Sequence, residues 1–341
     1  MNSKYMFSLV AVILLFLISY AGVETAGLQV FFGIVIPYLA VVIFVGGFIR
    51  RVLGWARSPV PFRIPTTCGQ EKSLPWIETN CIDNPFSKGA VIVRMFLEIV
   101  LFRSLFRNMK FQFGEGNKIS YIWEKWLWLA ALAFHYAFLV TIIRHLRFFT
   151  EPIPFVITFL EELDGFLRLE FLGGPLQIGL PGVYMSGLVL LAALIYLLLR
   201  RMLIPQVNYV SIASDYFPLF LIMGIAITGI MMRYFTKMDI VGIKEFTMGL
   251  ATFSPKIPAG VGGLFYVHLF FVSVLLIYFP FSKLMHLGGI FMSPTRNLAN
   301  NSRAQRHVNP WNYPVHVHTY EEYEDEFREK MIDVGLPVDK G

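Results

Sequence analysis

With 341 residues, 56% of them hydrophobic, 15% charged and a mean hydropathy of +0.60, the chain is too apolar for a water-soluble globular domain. Its net charge of +6 would point to nucleic acid in a soluble protein, but the excess sits in one stretch. Residues 50–125 hold twelve Lys or Arg against six acids, so the rest of the chain sums to zero and no nucleic-acid partner is expected. Two cysteines, Cys68 and Cys81, exclude a disulfide scaffold, the four thiolates of an iron–sulfur cluster and a C-x-x-C-H haem attachment.

Six apolar segments bounded by charge, Gly or Pro reach the roughly 20 residues that cross a hydrocarbon core. They are 5–22, 28–49, 122–146, 182–200, 213–233 and 263–287, which predicts an all-α integral membrane protein. The first also fits a secretory signal, since Lys4 precedes the apolar run and Ala21, Gly22 and Ala26 follow it. Its long run favours a retained helix, so residues 1–27 are expected to be a transmembrane element. The basic loop 50–121 is expected to be cytoplasmic by the positive-inside rule. Within it, 89–107 is apolar but carries Arg94, Glu98, Arg103 and Arg107, which predicts an interfacial or partner-packed helix rather than a span.

With that loop inside, the third span runs outward, and 144–181 lies outside with three basic against five acidic residues. Arg200 and Arg201 return inside, and both termini come out cytoplasmic. Residues 289–341 form a polar tail. Thr319 and Glu322 make a capping box for a helix over Tyr320–Val334, with Gly335 and Pro337 as its stop. Trp311, Tyr313, Tyr320, Tyr323 and Phe327 on so short a tail predict docking to a partner.

Four of the seven histidines fall within or at the ends of spans: His135 and His145 on the third, His268 and His286 on the sixth. Ionisable groups in hydrocarbon are costly and mark a cofactor or ion path. The two spans are antiparallel, so His145 shares the outer half with His268, and His135 the inner half with His286. Each pair can clamp one haem iron through neutral imidazoles, leaving no open position, which suits electron transfer. At the helical rise the ligands lie about 15 Å apart on the third span and about 27 Å apart on the sixth, limits that admit two stacked haems. Eighteen residues make five full turns, whereas ten leave His135 and His145 about 80° apart. Helix tilt and a kink at Pro280 are expected to absorb the mismatch.

This spacing, His-x9-His on one helix and His-x17-His on the last, resembles the gamma subunit of respiratory nitrate reductases, a membrane cytochrome b with two bis-histidyl haems. The resemblance covers residues 28–287, with 28–288 as a five-helix dihaem domain and the first helix as an addition. The run NPWNYPVHVHTYEEYEDEFREKMIDVGLPV at 309–338 resembles the C-terminus of the branch in sulfate and sulfite reducers, the membrane cytochrome b of the Dsr (DsrM-type) transmembrane complex. An archaeal relative of that branch is the heterodisulfide-reductase-like menaquinol-oxidising complex. The resemblance implies two haem b groups and menaquinol oxidation near the outer haem. It further implies electron delivery to a cytoplasmic iron–sulfur, heterodisulfide-reductase-like subunit, alongside other membrane and periplasmic redox subunits.

Arg144, Arg147 and Arg233 lie on the outer side, where they can hold haem propionates or snorkel to lipid phosphates. Lys283 is the analogous inner cation. Quinol oxidation needs a proton acceptor, for which Glu161, Glu162 and Asp164 are candidates, with Arg168 in the same segment. Phe148, Phe149, Phe155 and Phe159 can wall a quinone slot. His316 and His318 find no further ligand to complete a metal site, and Cys68 and Cys81 are expected to stay reduced. The rival reading is a proton or ion transporter with intramembrane histidines, which would show internal repeats or broken helices around a midplane site.

Overall fold

The computed structural model describes residues 3–58, 80–113, 119–165, 184–236, 238–301 and 318–339. Six helices are long and apolar enough to cross a membrane, and the chain is an α-helical integral membrane protein. Large apolar side chains point outward along each span, for example Phe7, Leu39, Leu139 and Leu199, while Ser8, Ser19, Ser186 and Thr228 are buried. That inversion is what lipid as the surrounding solvent selects, with small polar residues between helices.

Helix α1 (Ser3–Glu24) is followed by a π-turn over Phe31–Val35 and then α2 (Ile36–Ala56). Pro37 in the first turn of α2 lacks the N–H that would continue a regular ladder through that point. Next come α3 (Lys88–Leu101), the single turn α4 (Arg103–Phe106), and strands β1 (Met109–Phe113) and β2 (Ile119–Trp123), paired antiparallel. The third span, α5 (Lys125–His145), therefore begins three residues later than the apolar pattern indicates, because Ile122 and Trp123 belong to the hairpin. After it come α6 (Phe155–Asp164), α7 (Met185–Leu203), α8 (Pro205–Val210), α9 (Ala213–Tyr234) and α10 (Ile240–Ala251).

Helix α11 (Gly263–Tyr278) is where the expectation of one helix over 263–287 fails. Pro280 does not kink it but ends it, and two 3-10 turns, Phe279–Phe281 and Lys283–Met285, lead into the short α12 (His286–Gly289). Then follow α13 (Pro294–Asn297) and α14 (Tyr320–Asp333).

Helices α9 and α11 form the centre. α1 packs on both, α2 on α11, and α7 bridges α9 to α5. Gly224 lets α9 approach, since a Cβ there would lie 2.8 Å from the Phe271 ring. α1 is anchored at both ends: Lys4 Nζ donates to the Ser211 carbonyl (2.8 Å), and Glu24 accepts the Gly263 N–H (2.6 Å). Val12 and Val23 join the core formed by Leu221, Phe246 and Phe271.

The stretch 89–107 is α3 plus α4, broken at Phe102, which adopts a left-handed conformation (φ 50°). Arg94 and Glu98 of α3 turn inward, while Ile92 and Phe96 face out. Its last carbonyls, left open by the helix end, accept from α5: Tyr136 Oη donates to Val100 (3.0 Å) and Trp128 Nε1 to Leu101 (2.7 Å). The start of the tail packs here too. α13 lies against α3, and Asn300 is buried with its N–H on the Pro85 carbonyl (2.6 Å) and its amide on Asn84. Helix α14 has the capping box expected of it, Thr319 with Glu322, and ends at Gly335 (φ 72°).

Candidate functional site

The structure brings the four intramembrane histidines together as two pairs. Ring centroids of His145 and His268 lie 6.3 Å apart, with ring planes at 14°. Those of His135 and His286 lie 5.9 Å apart, at 83°. His135 and His145 hang from α5, His268 from the second turn of α11, and His286 from the first residue of α12. The mismatch between five full turns and an 80° offset is resolved by taking His286 off α11 altogether, beyond the break at Tyr278.

Every Nδ1 is occupied. His135 bonds the Ala131 carbonyl (2.7 Å), His145 the Thr141 carbonyl (2.7 Å) and His286 the Lys283 carbonyl (2.9 Å). Carbonyls only accept, so these three Nδ1 atoms carry the proton. His268 Nδ1 lies 2.8 Å from Thr228 Oγ1, whose own proton has the carbonyls of Gly224 (2.8 Å) and Ile225 (3.0 Å) to go to. The same tautomer follows from that network: Nδ1–H donates, and all four rings keep the Nε2 lone pair for a metal.

An axial imidazole places its nitrogen about 2 Å from the metal and its ring centre about 1.2 Å farther, so two facing imidazoles on one iron have centroids roughly 6.4 Å apart. Both observed spacings suit such a clamp. α5 and α11 are also not among the closely packed helix pairs, and none of the four histidines is fully buried. Phe102 and Phe134 flank His135 edge-on, each with its centroid 4.9 Å away. Among the described residues no cluster of three or more His, Cys, Asp or Glu forms a separate metal site.

At the His145 and His268 end the predicted cations and acids are joined to one another. Arg144, next to His145, is buried, with Nε 3.0 Å from Asp164 and its guanidinium 3.7 Å from the centre of the Tyr184 ring. Asp164 also accepts the Ser186 N–H (2.6 Å) and hydroxyl (2.7 Å), so it caps α7 while holding α5. Arg147 pairs with Glu161 at 2.7 Å. Arg233 also lies over Tyr184, 4.9 Å from the ring centre and 3.3 Å from its hydroxyl, with no carboxylate partner among the described residues. Glu162 is exposed and likewise unpaired among the described residues, and Arg168 lies outside them. Of the proposed aromatic wall, Phe149, Phe155 and Phe159 are exposed, whereas Phe148 packs towards His145, with centroids 6.0 Å apart.

At the His286 end, Lys283 Nζ lies 2.6 Å from Asp215, which Arg201 also approaches at 3.5 Å. Tyr278 Oη donates to the Ser214 carbonyl (3.1 Å). These bonds pin the link that carries His286 to the start of α9. Cys81 is exposed, and Cys68 and His316 lie outside the described residues. The sequence reading did not single out Asp215 or Thr228. A lone polar residue inside or at the mouth of a span, as both are, is the signal that identifies them.

Residues 94–307 match the family model for the nitrate reductase gamma subunit, a stretch that begins after the first two spans and contains all four histidines. The chain is also similar to two archaeal proteins named Hdr-like menaquinol oxidoreductase cytochrome b-like subunit. The one from Archaeoglobus fulgidus is 44% identical over 289 residues, 83% of either chain. The one from Archaeoglobus profundus is 42% identical over 282 residues, 81% of either chain. By the family-model match, which spans more than half of it, the chain belongs to the nitrate reductase gamma subunit family.

Proposed function

We propose that this chain is the membrane cytochrome b subunit of a menaquinol-oxidising complex, with His145 and His268 holding an outer haem b and His135 and His286 an inner one. The observation that carries this is the pairing of four Nδ1-bonded histidines at 6.3 and 5.9 Å, with Nε2 free in each. The names of the two relatives point the same way. When bound, such haems carry single electrons between a quinol and an acceptor on the other side of the membrane. The chain's own part is to fix the imidazoles, shape the gap and manage charge at its two mouths.

At the outer mouth Arg144 and Arg147 are committed to Asp164 and Glu161, so Arg233 is the guanidinium available for a propionate. Asp164, with its two bonds from Ser186 and its arginine, is a fastener. Glu162 is the carboxylate with freedom to accept a quinol proton. The basic loop 50–121 supports an arrangement with both termini cytoplasmic.

The acceptor is proposed to be a cytoplasmic iron–sulfur, heterodisulfide-reductase-like subunit, in a complex with further membrane and periplasmic redox subunits that serves sulfur or sulfite respiration. Helix α14 supports a docking role. It carries seven acids against two bases, with Tyr320, Tyr323 and Ile332 exposed on it. The deciding experiment is a dithionite-reduced minus oxidised spectrum of the purified complex, with pyridine haemochrome quantification. Two b-type haems per chain are expected. A chain without b-type bands overturns the reading.

A further inference from the structure

Three of the four histidines bond a carbonyl of their own segment, three or four residues back. His268 differs. Its Nδ1 reaches across to another helix, to the buried hydroxyl of Thr228 on α9, at 2.8 Å. The adjoining Gly229 shows how closely the ring lies on α9: a Cβ there would stand in ordinary contact with it, 3.4 Å from His268 Cε1 and 3.9 Å from Nδ1. We infer that Thr228 is a positioning residue that orients His268 and sets the reduction potential of the outer haem, an inference that rests on the bis-histidine reading above.

Thr228 Oγ1 has two carbonyls within reach of its single proton, so its lone pairs are left for the imidazole N–H. A hydrogen bond from Nδ1–H increases the electron density that Nε2 offers to a metal, which stabilises the ferric state over the ferrous. Removing the hydroxyl takes away the acceptor that Thr228 offers, leaves the Ile225 carbonyl as the remaining partner near the ring, and makes the ligand a less firmly held and poorer donor. The outer midpoint should therefore rise. The other three ligands rely on backbone acceptors, so this is the one place where a side-chain substitution can alter the hydrogen bond to a ligand without moving the main chain.

Thr228→Val keeps the shape and removes the hydroxyl, while Thr228→Ser restores it. The test is a redox titration of the b bands in the intact complex, with the outer band assigned from its loss in His268→Ala. In Thr228→Val both haems are expected to remain, with the reduced-to-oxidised ratio of the outer one raised about tenfold at the wild-type midpoint, about 59 mV for one electron. The inner band should titrate as in the wild type, and Thr228→Ser should return the outer one. Loss of the outer haem alone in Thr228→Val, with recovery in Thr228→Ser, also supports the role. An unchanged outer midpoint in Thr228→Val, or an equal shift in Thr228→Ser, overturns it while leaving the dihaem reading intact. Absence of b haem from the wild-type complex overturns both.

Discussion

The ring planes of His135 and His286 stand at 83° to each other, whereas those of His145 and His268 are within 14° of parallel. Parallel axial imidazoles split the two iron d orbitals that point towards their π systems, and perpendicular ones leave them nearly degenerate. If these pairs hold the two proposed haems, the ferric one at His135 and His286 should give a low-spin paramagnetic resonance signal with the larger maximum g value, and the one at His145 and His268 a more rhombic one. Spectra of His286→Ala and His268→Ala, each retaining one haem, assign the signals. The reverse order would show that the ligand planes differ from those described.

Single substitutions should resolve the two sites. His145→Ala or His268→Ala is expected to remove the outer haem and His135→Ala or His286→Ala the inner, leaving about one haem per chain in each case. Haemochrome quantification against protein measures this. Two haems retained in any of the four variants would break the assignment for that residue.

The pairing of these histidines was legible because it needs only antiparallel spans and their spacing. The spans were legible for the same reason, apolar length being dictated by the bilayer. What stayed hidden depends on contacts between segments with no common period. Arg144 and Asp164 were both singled out, but for separate tasks, since nothing in a one-dimensional pattern says they meet. The end of α11 at Tyr278 was hidden by the apolar residues that continue past Pro280, and the hairpin by Ile122 and Trp123, which extend the apolar run of α5 backwards.

The anchoring of α1 makes it part of the fold. Val12 and Val23 are buried in the core, and Glu24 takes one of the open N–H groups at the start of the helix bearing His268. N-terminal analysis of the mature protein should find α1 retained. Glu24→Ala should lower stability by about 1 kcal/mol, the usual cost of a lost helix cap, seen as an earlier thermal loss of the outer haem band. Cleavage near Ala26 would contradict this.

Asp83 ties the segment before α3 to α4 by accepting from both Arg103 and Arg107. The Arg103 hydrogen bond, reinforced by Arg107 and opposed by burial, holds its carboxyl below the ordinary value of 3.8. A depressed carboxylate contributes stability above its unfolded pKa and loses it as pH falls through the folded value. Asp83→Asn should therefore speed protease cleavage within 80–108 at pH 7, roughly fivefold for a loss of about 1 kcal/mol. At pH low enough to protonate Asp83 in the folded wild type, wild type and variant should converge. Equal rates at neutral pH would show that these ion pairs do not restrain the loop.

Deleting residues 306–341 removes α14 with its acids and exposed tyrosines but none of the four histidines. Both proposed haems should remain, while the proposed iron–sulfur partner is expected to dissociate on purification in mild detergent. A complex that copurifies whole after the deletion would show that the partner is held elsewhere, with the packed segment around α13 and Asn300 the next surface to test.

The side from which quinol delivers electrons follows from what surrounds each pair. His145 and His268 lie beside α6, α10 and the outer arginines, whereas His286 follows a link pinned to Asp215 on the side of the basic loop and tail. Quinol should reduce the outer haem first. In His286→Ala a menaquinol analogue should still reduce the remaining haem in rapid mixing, but electrons should not reach the partner. In His145→Ala the analogue should fail to reduce the inner haem, while dithionite still reduces it. The two variants make opposite demands on one reductant, so a general folding defect cannot mimic the result. If the inner haem of His145→Ala is instead reduced by quinol at its normal rate, the quinol site lies on the cytoplasmic side. Glu162 would then have no proton to accept, and the charge arrangement around Arg144, Asp164 and Arg233 would be left as a fastening of α5 to α7 and α9 alone.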